Sequence, residues 1–349
     1  MKAHVLHGID DITFDEVNKP IPQAGEVLVA VKAAGICGSD IARIFKTGAY
    51  SHPLIPGHEF SGQVVELGAG VDKSWFGKRV GVFPLIPCRE CGPCKQESYE
   101  LCRNYSYLGS RRDGGFAEYV VAPADNLIEL PENVSYEVAA MLEPMAVAVH
   151  AMRRVQWQQN ETVTVCGLGT IGLMLIMFLL EAGAKKILVI GNKDFQKETV
   201  LKMGISPEYF CDLRYQDADV WVKERTGGMG THTFFECVGK NETFARAIDS
   251  TAPNGNVMLV GNPYSDMELT KTTYWKILRN QLRITGTWNS SFTNKEDDDW
   301  NYVLKKIADG RINPDGFITH LLSFEKLMDG LQIMKDKTED YVKVMLKLQ

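Results

Sequence analysis

Up to about residue 130 the apolar positions come in short runs broken by glycine and proline: EVLVAVKAAG, SGQVVELGAG, GKRVGVFP and GGFAEYVVAP. Runs of that length between turn residues predict the short strands of a β-rich domain carrying long loops. From about residue 147 the pattern changes. ETVTVCGLG, KKILVIGN, HTFFECVG and GNVMLVGN are apolar runs separated by helical segments, the pattern of a parallel sheet with crossover helices. After LRITGTW, near residue 288, a helical stretch leads to DYVKVMLKLQ, which predicts one more strand. No repeat, low-complexity tract or heptad interrupts these two textures.

Composition narrows the classes. At 349 residues, 45% apolar and 23% charged, the chain reads as a soluble globular protein with enough core for two domains. A net charge of −6, with no long run of like charges, gives no electrostatic footprint for nucleic acid or an anionic membrane. The N-terminus, MKAHVLHGIDDITFDE, turns acidic early and lacks the apolar core of a secretion signal, so a cytoplasmic location is expected. The most apolar stretch, IGLMLIMFLL from Ile171 to Leu180, is about half the length needed to span a bilayer and predicts a buried helix.

In a reducing compartment, eight cysteines point to metal more than to disulfides. Cys88, Cys91, Cys94 and Cys102 are spaced C-x2-C-x2-C-x7-C, and Gly92 and Pro93 supply turns that let the thiolates converge on a tetrahedral zinc. A common iron–sulfur pattern has a shorter last gap and a following proline. With four ligands such a site is closed and stabilises its lobe without doing chemistry. Elsewhere, AGICGSD supplies Cys37, IPGHEFSG supplies His58 and Glu59, and MLEPMAVAVHA supplies Glu143. One thiolate, one imidazole and one carboxylate hold zinc with a position open to water or substrate, as catalytic zinc requires. Each residue alone has an ordinary structural role open to it, and only the combination carries weight.

TVTVCGLGTIGLMLIMFLLEAGA reads as a strand, then Gly167, Gly169 and Gly172 in the pattern G-x-G-x-x-G, then an apolar helix. Such a turn lets the backbone approach a pyrophosphate that lies on the helix N-terminus, so Gly167, Gly169, Thr170, Ile171 and Gly172 are expected to bind a dinucleotide. Val238, Val260 and Gly261, at the ends of HTFFECVG and GNVMLVGN, complete that set. An NAD-selective fold places a carboxylate at the end of the second strand, but KKILVI ends in Gly191, Asn192 and Lys193. NADP(H) is therefore the favoured cofactor. A plain strand exit with a solvated lysine is the alternative, and Asp194, one residue on, leaves NAD(H) open.

Taken in order, AGICGSD, PGHEFSGQVVELGAGV, the four-cysteine lobe, GSRRDGGFAEYVV, LEPMAVAVHA and GLGTIG resemble the zinc-dependent medium-chain alcohol and polyol dehydrogenases across nearly the whole chain. The resemblance implies an α/β fold. A GroES-like catalytic domain, residues 1–146 and 288–349 with a structural-zinc lobe at 87–103, would be interrupted by a Rossmann domain at 147–287, with the active site in the cleft between them. It implies two zinc ions per chain, the catalytic one on Cys37, His58 and Glu143, with Glu59 as an alternative or exchanging ligand. A zinc-bound hydroxyl would ionise near neutral pH and lose hydride to the nicotinamide, and Ser39 would pass the proton outward. Ser39 could also cap a short helix starting near Asp40. A histidine that often extends this relay in the family is replaced by Ala42 and Arg43. A homodimer or homotetramer is the implied assembly.

IARIFKTGAY, GSRRDGGFAEY and KILRNQLRITGTW are most similar to family members acting on galactitol 1-phosphate and related pentitol and hexitol phosphates. The expected reaction interconverts a secondary hydroxyl of such a phosphate and the ketose phosphate. Arg43, Lys46 and Arg111 are the candidates for binding the phosphate; Arg112 is expected to pair with Asp113 inside its own turn. The alternatives are dehydrogenation of an unphosphorylated polyol of the sorbitol, butanediol or threonine type, a metal-free quinone reductase, a non-catalytic zinc-stabilised binding protein, and a zinc-stabilised nucleic-acid module. The acidic balance argues against the last of these.

Overall fold

The long strand Glu26–Ile36 organises the first part of the chain because three other strands pair along it. Glu59–Leu67 runs antiparallel on one side. On the other side Tyr119–Pro123 takes its first half and Lys343–Lys347, from the far end of the chain, takes its second. The computed structural model describes residues 1–348, which divide into two units: Met1–Ala146 together with the chain from Ser290 onward, and Val147–Asn289. Among these residues the first unit holds a seven-stranded sheet, extended at one edge by Arg79–Val82 and Leu127–Glu129 and at the other by Ile318–Ser323, which pairs parallel to Lys343–Lys347.

Valine and alanine fill the central strand, and Val27, Val29 and Val31 are buried with Phe60, Val64, Val80, Phe116 and Val344. Burial of such side chains is the main favourable term in folding. Helix Leu327–Asp336 closes the core with Leu327, Leu331 and Met334. It lies so close to the sheet that a Cβ on Gly330 would come within 2.7 Å of Ile36 Cδ1. The segment that re-enters this unit after residue 289 is anchored by Trp300. Its indole packs edge to face with Phe83 and Phe292 and donates to Ser290 Oγ at 3.0 Å.

The second unit is a six-stranded, wholly parallel sheet. Its spatial order is Phe210–Asp212, Lys186–Gly191, Thr162–Cys166, Thr231–Glu236, Thr251–Leu259 and Arg283–Gly286. The chain starts in the middle, steps outward two strands, returns and steps outward the other way. That order is the doubly wound Rossmann arrangement, whose crevice for a ligand lies at the carboxyl ends of the two central strands. The apolar stretch IGLMLIMFLL forms most of helix Thr170–Glu181, with Leu173 to Ile176, Phe178 and Leu179 buried. Among the described residues no helix is long and apolar enough to cross a membrane.

Candidate metal centre and cofactor turn

Pairing between the first two long strands sets Gly35 opposite Glu59, which brings Cys37, just past the end of one strand, beside His58 and Glu59 at the start of the other. One ligand atom from each of the three lies within 4.8 Å of the others. Glu143 does not complete a set within that distance of all three; its Oε1 accepts from the Tyr107 hydroxyl at 3.2 Å, and burial pushes its carboxyl up to about 7. The carboxylate grouped with the thiol and imidazole in this structure is therefore Glu59.

Two charged residues absent from the sequence expectations support this group. Asp40, fully buried, accepts from the Cys37 backbone N–H at 3.0 Å and from Arg43 Nη1 at 2.8 Å, and its Oδ1 lies 3.4 Å from His58 Nδ1. Burial alone would raise the Asp40 carboxyl, but His58 and Arg43 outweigh it and hold it below the usual range. Burial likewise opposes charge on His58, yet Asp40 and Cys37 raise the imidazole well above its ordinary value. Lys343 is 3% exposed at the side chain, makes an ion pair with Glu59 and donates to Ile36 O at 3.1 Å. Burial pulls its ammonium down; Glu59 and then Cys37 more than reverse this.

These donors fit a divalent cation. Glu59 Oε2 is buried without an aligned hydrogen-bond partner, although Lys343 stands at ion-pair distance, and a soft thiolate beside an imidazole is a donor set that suits zinc. A metal here would displace protons from Cys37 and His58.

The four-cysteine lobe is a second such cluster. The Sγ atoms of Cys88, Cys91, Cys94 and Cys102 all lie within 4.8 Å of one another, with Cys88 to Cys94 at 4.0 Å and Cys91 to Cys102 at 3.9 Å. A tetrahedron with 2.3 Å zinc–sulfur arms has edges of about 3.8 Å, so the spacing fits. No disulfide joins them. Backbone N–H groups of Arg103 and Cys94 bring the Cys91 thiol down to about 6, while burial pushes Cys94 up to about 12.

In the second unit, Gly167 has φ +100°, and a Cβ on Gly172 would lie 1.9 Å from the Gly167 carbonyl oxygen, so both positions require glycine. Gly169, the residue before helix Thr170–Glu181, faces open space. Thr170 and Ile171 form the first turn of that helix. Val238 packs against Gly167, and the N–H groups of Val260 and Gly261 are tied to Glu236 O at 2.8 and 2.9 Å. Gly191 ends its strand beside Asp212, and Asn192 N–H donates to Gln196 Oε1 at 3.0 Å. Lys193 is exposed just before helix Asp194–Lys202. Arg214, which sequence reading missed, bridges Asp194 at 2.5 Å and Asp212 at 2.6 Å. Asp194 is therefore engaged.

Two expectations about local contacts are corrected. Ser39 lies inside helix Gly38–Ala42, which starts earlier than expected, and Asp40 makes the capping contact to Cys37 N–H instead. Arg112 pairs with Glu26 at 2.7 Å rather than with Asp113, whose Oδ1 accepts from Ile55 N–H. Arg43 is committed to Asp40, which weakens it as a phosphate ligand. Lys46 is exposed in the π-helical turn Arg43–Thr47, and Arg111 is exposed against Tyr50 and Tyr105.

The chain matches the alcohol dehydrogenase GroES-like domain over residues 23–132 and the zinc-binding dehydrogenase family over residues 170–309. Galactitol 1-phosphate 5-dehydrogenase of Escherichia coli K12 is 32% identical over 91% of each chain. Sorbitol dehydrogenase of Bacillus subtilis is 30% identical over 99% of this chain and 97% of its own. The crystal structure of E. coli galactitol-1-phosphate dehydrogenase superposes with a TM-score of 0.92 at 31% identity, covering 100% of both chains. A candidate zinc-binding dehydrogenase from Sinorhizobium meliloti bound to NADP gives 0.90 at 27% identity and 99% coverage of both. A short chain alcohol dehydrogenase, rspB, from E. coli CFT073 complexed with NADH gives 0.91 at 28% identity, covering 100% of this chain and 99% of that one.

Removing Lys343 leaves the Glu59 carboxylate buried without its counter-charge. Lys343→Met is expected to lose about 3–5 kcal/mol of stability in urea with chelator present, and adding Glu59→Gln should restore much of it. A loss under about 1 kcal/mol for the single variant would mean the pair does not hold the strands as described.

Proposed function

The chain belongs to the zinc-dependent medium-chain polyol dehydrogenase family, and we propose that it interconverts a secondary hydroxyl of a sugar-alcohol phosphate and the ketose phosphate, with NADP(H) favoured over NAD(H). The observation that carries the chemistry is the convergence of Cys37, His58 and Glu59. In this reading these three residues hold a catalytic zinc, with Glu143 as the exchanging carboxylate, and the four cysteines hold a structural one. A bound zinc supplies Lewis acidity, lowering the pKa of a substrate hydroxyl. Asp40 orients His58 from behind, as outer partners of metal-binding imidazoles do. Lys343 balances the charge of Glu59, and Ser39, half-buried and two residues after Cys37, passes the hydroxyl proton outward.

The pyrophosphate of the cofactor is assigned to the turn Gly167–Gly172 and the N-terminus of the helix that follows. Gly191 presents no carboxylate to the ribose and Asp194 is held by Arg214, which together favour a 2′-phosphate. The phosphorylated substrate is supported by the E. coli galactitol 1-phosphate relative and by the exposed cations Lys46 and Arg111. A free polyol is the second reading, favoured by the likeness to sorbitol dehydrogenase. Assembly as a homodimer or homotetramer is also proposed. Tyr274, Trp275 and Leu278 are exposed on the helix that precedes the edge strand Arg283–Gly286, the kind of apolar surface and open edge that association covers.

His58→Ala should abolish turnover while NADP(H) still binds, as followed by nicotinamide fluorescence; near-wild-type turnover would refute the catalytic assignment. The wild-type enzyme should show the higher kcat/KM with NADP. A Cβ at position 191 would sit 2.8 Å from Leu168 Cδ1 and 2.9 Å from Gln196 Oε1, so the reversal is tested in Gly191→Asp/Gln196→Ala, which should favour NAD roughly tenfold or more. A wild type far more efficient with NAD would overturn the cofactor assignment.

A further inference from the structure

Of the cations in the first unit, Arg111 is held in an unusual way. Arg43 donates to Asp40 and Arg112 to Glu26, but among the described residues no carboxylate pairs with the Arg111 guanidinium. Instead its Cζ lies 4.0 Å from the centroid of the Tyr50 ring and 4.6 Å from that of Tyr105. Aromatic faces attract a guanidinium without using its N–H groups, so the donors at its edge remain available to a planar or tetrahedral oxyanion. Tyr50 is 71% exposed, and its face is turned to this cation.

The same turn connects Arg111 to the candidate metal centre. The carbonyl of Tyr107 accepts the backbone N–H groups of Arg111 at 2.9 Å and Arg112 at 3.1 Å. The Tyr107 ring packs 5.9 Å from His58 and 6.3 Å from Tyr105, centroid to centroid, and its hydroxyl donates to Glu143. His58, Tyr107, Tyr105, Arg111 and Tyr50 thus form one continuous chain of side-chain contacts from the metal-ligating imidazole to an exposed, unpaired cation. A polyol phosphate bound between these ends would present a hydroxyl to one and a terminal dianion to the other.

We propose that Arg111, bracketed by Tyr50 and Tyr105, binds the substrate phosphate and sets the preference for phosphorylated over free polyols; this rests on the dehydrogenase reading given above. The neighbouring Arg43 stays with Asp40 and serves the His58 end of the chain.

The test is steady-state kinetics with a panel of hexitol and pentitol phosphates, galactitol 1-phosphate included, against their free counterparts, with inorganic phosphate as a competing ligand. Arg111→Gln is expected to raise KM for the phosphorylated substrate roughly 10- to 100-fold and weaken inhibition by inorganic phosphate in parallel. Its kcat, and KM for the free polyol, should stay within about twofold. Arg111→Lys should recover only part of the loss, because an ammonium lacks the stacked planar fork. Tyr50→Ala, at an exposed position and with the arginine kept, should weaken the preference about two- to fivefold, and it serves as the test if Arg111→Gln does not fold. If the wild type prefers the phosphates and these variants keep that preference undiminished, Arg111 is not the receptor, although the substrate class stands. If the wild type shows no preference, the phosphorylated-substrate reading falls and this assignment with it.

Discussion

Glu59 and Lys343 are 1% and 3% exposed at their side chains, and two charges so deeply buried are tolerated only when paired with good geometry. Their pairing depends on three strands meeting at one point. Gly35 lies opposite Glu59 in one ladder, and residues 33–36 pair with 344–347 in another. A side chain at Gly35 would push this pair apart, because its Cβ would fall 2.3 Å from Glu59 Oε2 and 2.8 Å from Lys343 Cε. The returning C-terminal strand therefore does more than complete the sheet. It delivers a cation to the carboxylate beside Cys37 and His58, and the candidate metal centre inherits its position from that junction.

In the proposed reading, the two cysteine-bearing clusters would solve different problems with the same element. Four sulfurs in the lobe at residues 88–102 satisfy a tetrahedral ion completely, which suits a staple for a loop-rich segment with little core of its own. One sulfur, one imidazole and one carboxylate leave a position for substrate, and the outer partners Asp40 and Lys343 keep the donors in place. In the second unit glycine does the corresponding work. Gly167 and Gly172 approach each other more closely than any side chain permits, and Gly169 leaves open space at the head of a buried helix.

Features that depend on neighbours in sequence are legible in the chain itself. The fold class followed from the change between interrupted and continuous apolar runs, because parallel strands buried on both faces cannot alternate. The cysteine spacing and the glycine-rich turn are local patterns with local physics. Pairings across long separations were not legible. Lys343 reaches back 307 residues to Ile36 and nearly as far to Glu59, and the one available signal was a lysine flanked by valines in the apolar run of DYVKVMLKLQ. Arg214 finds Asp194 from twenty residues away, and Arg112 reaches Glu26 where a nearer carboxylate, Asp113, had seemed the natural partner. Asp40 was passed over because its partners, His58 and Arg43, become clear only when two strand ends are brought together.

The first unit is proposed to carry a mixed thiolate, imidazole and carboxylate metal centre beside an all-thiolate one. Zinc K-edge absorption spectroscopy of the purified protein, with its metal content, tests this most directly. Two zinc ions per chain are predicted, with sulfur scatterers near 2.3 Å together with a clear nitrogen and oxygen shell at about 2.0–2.1 Å. One zinc per chain with an all-sulfur shell would contradict the account.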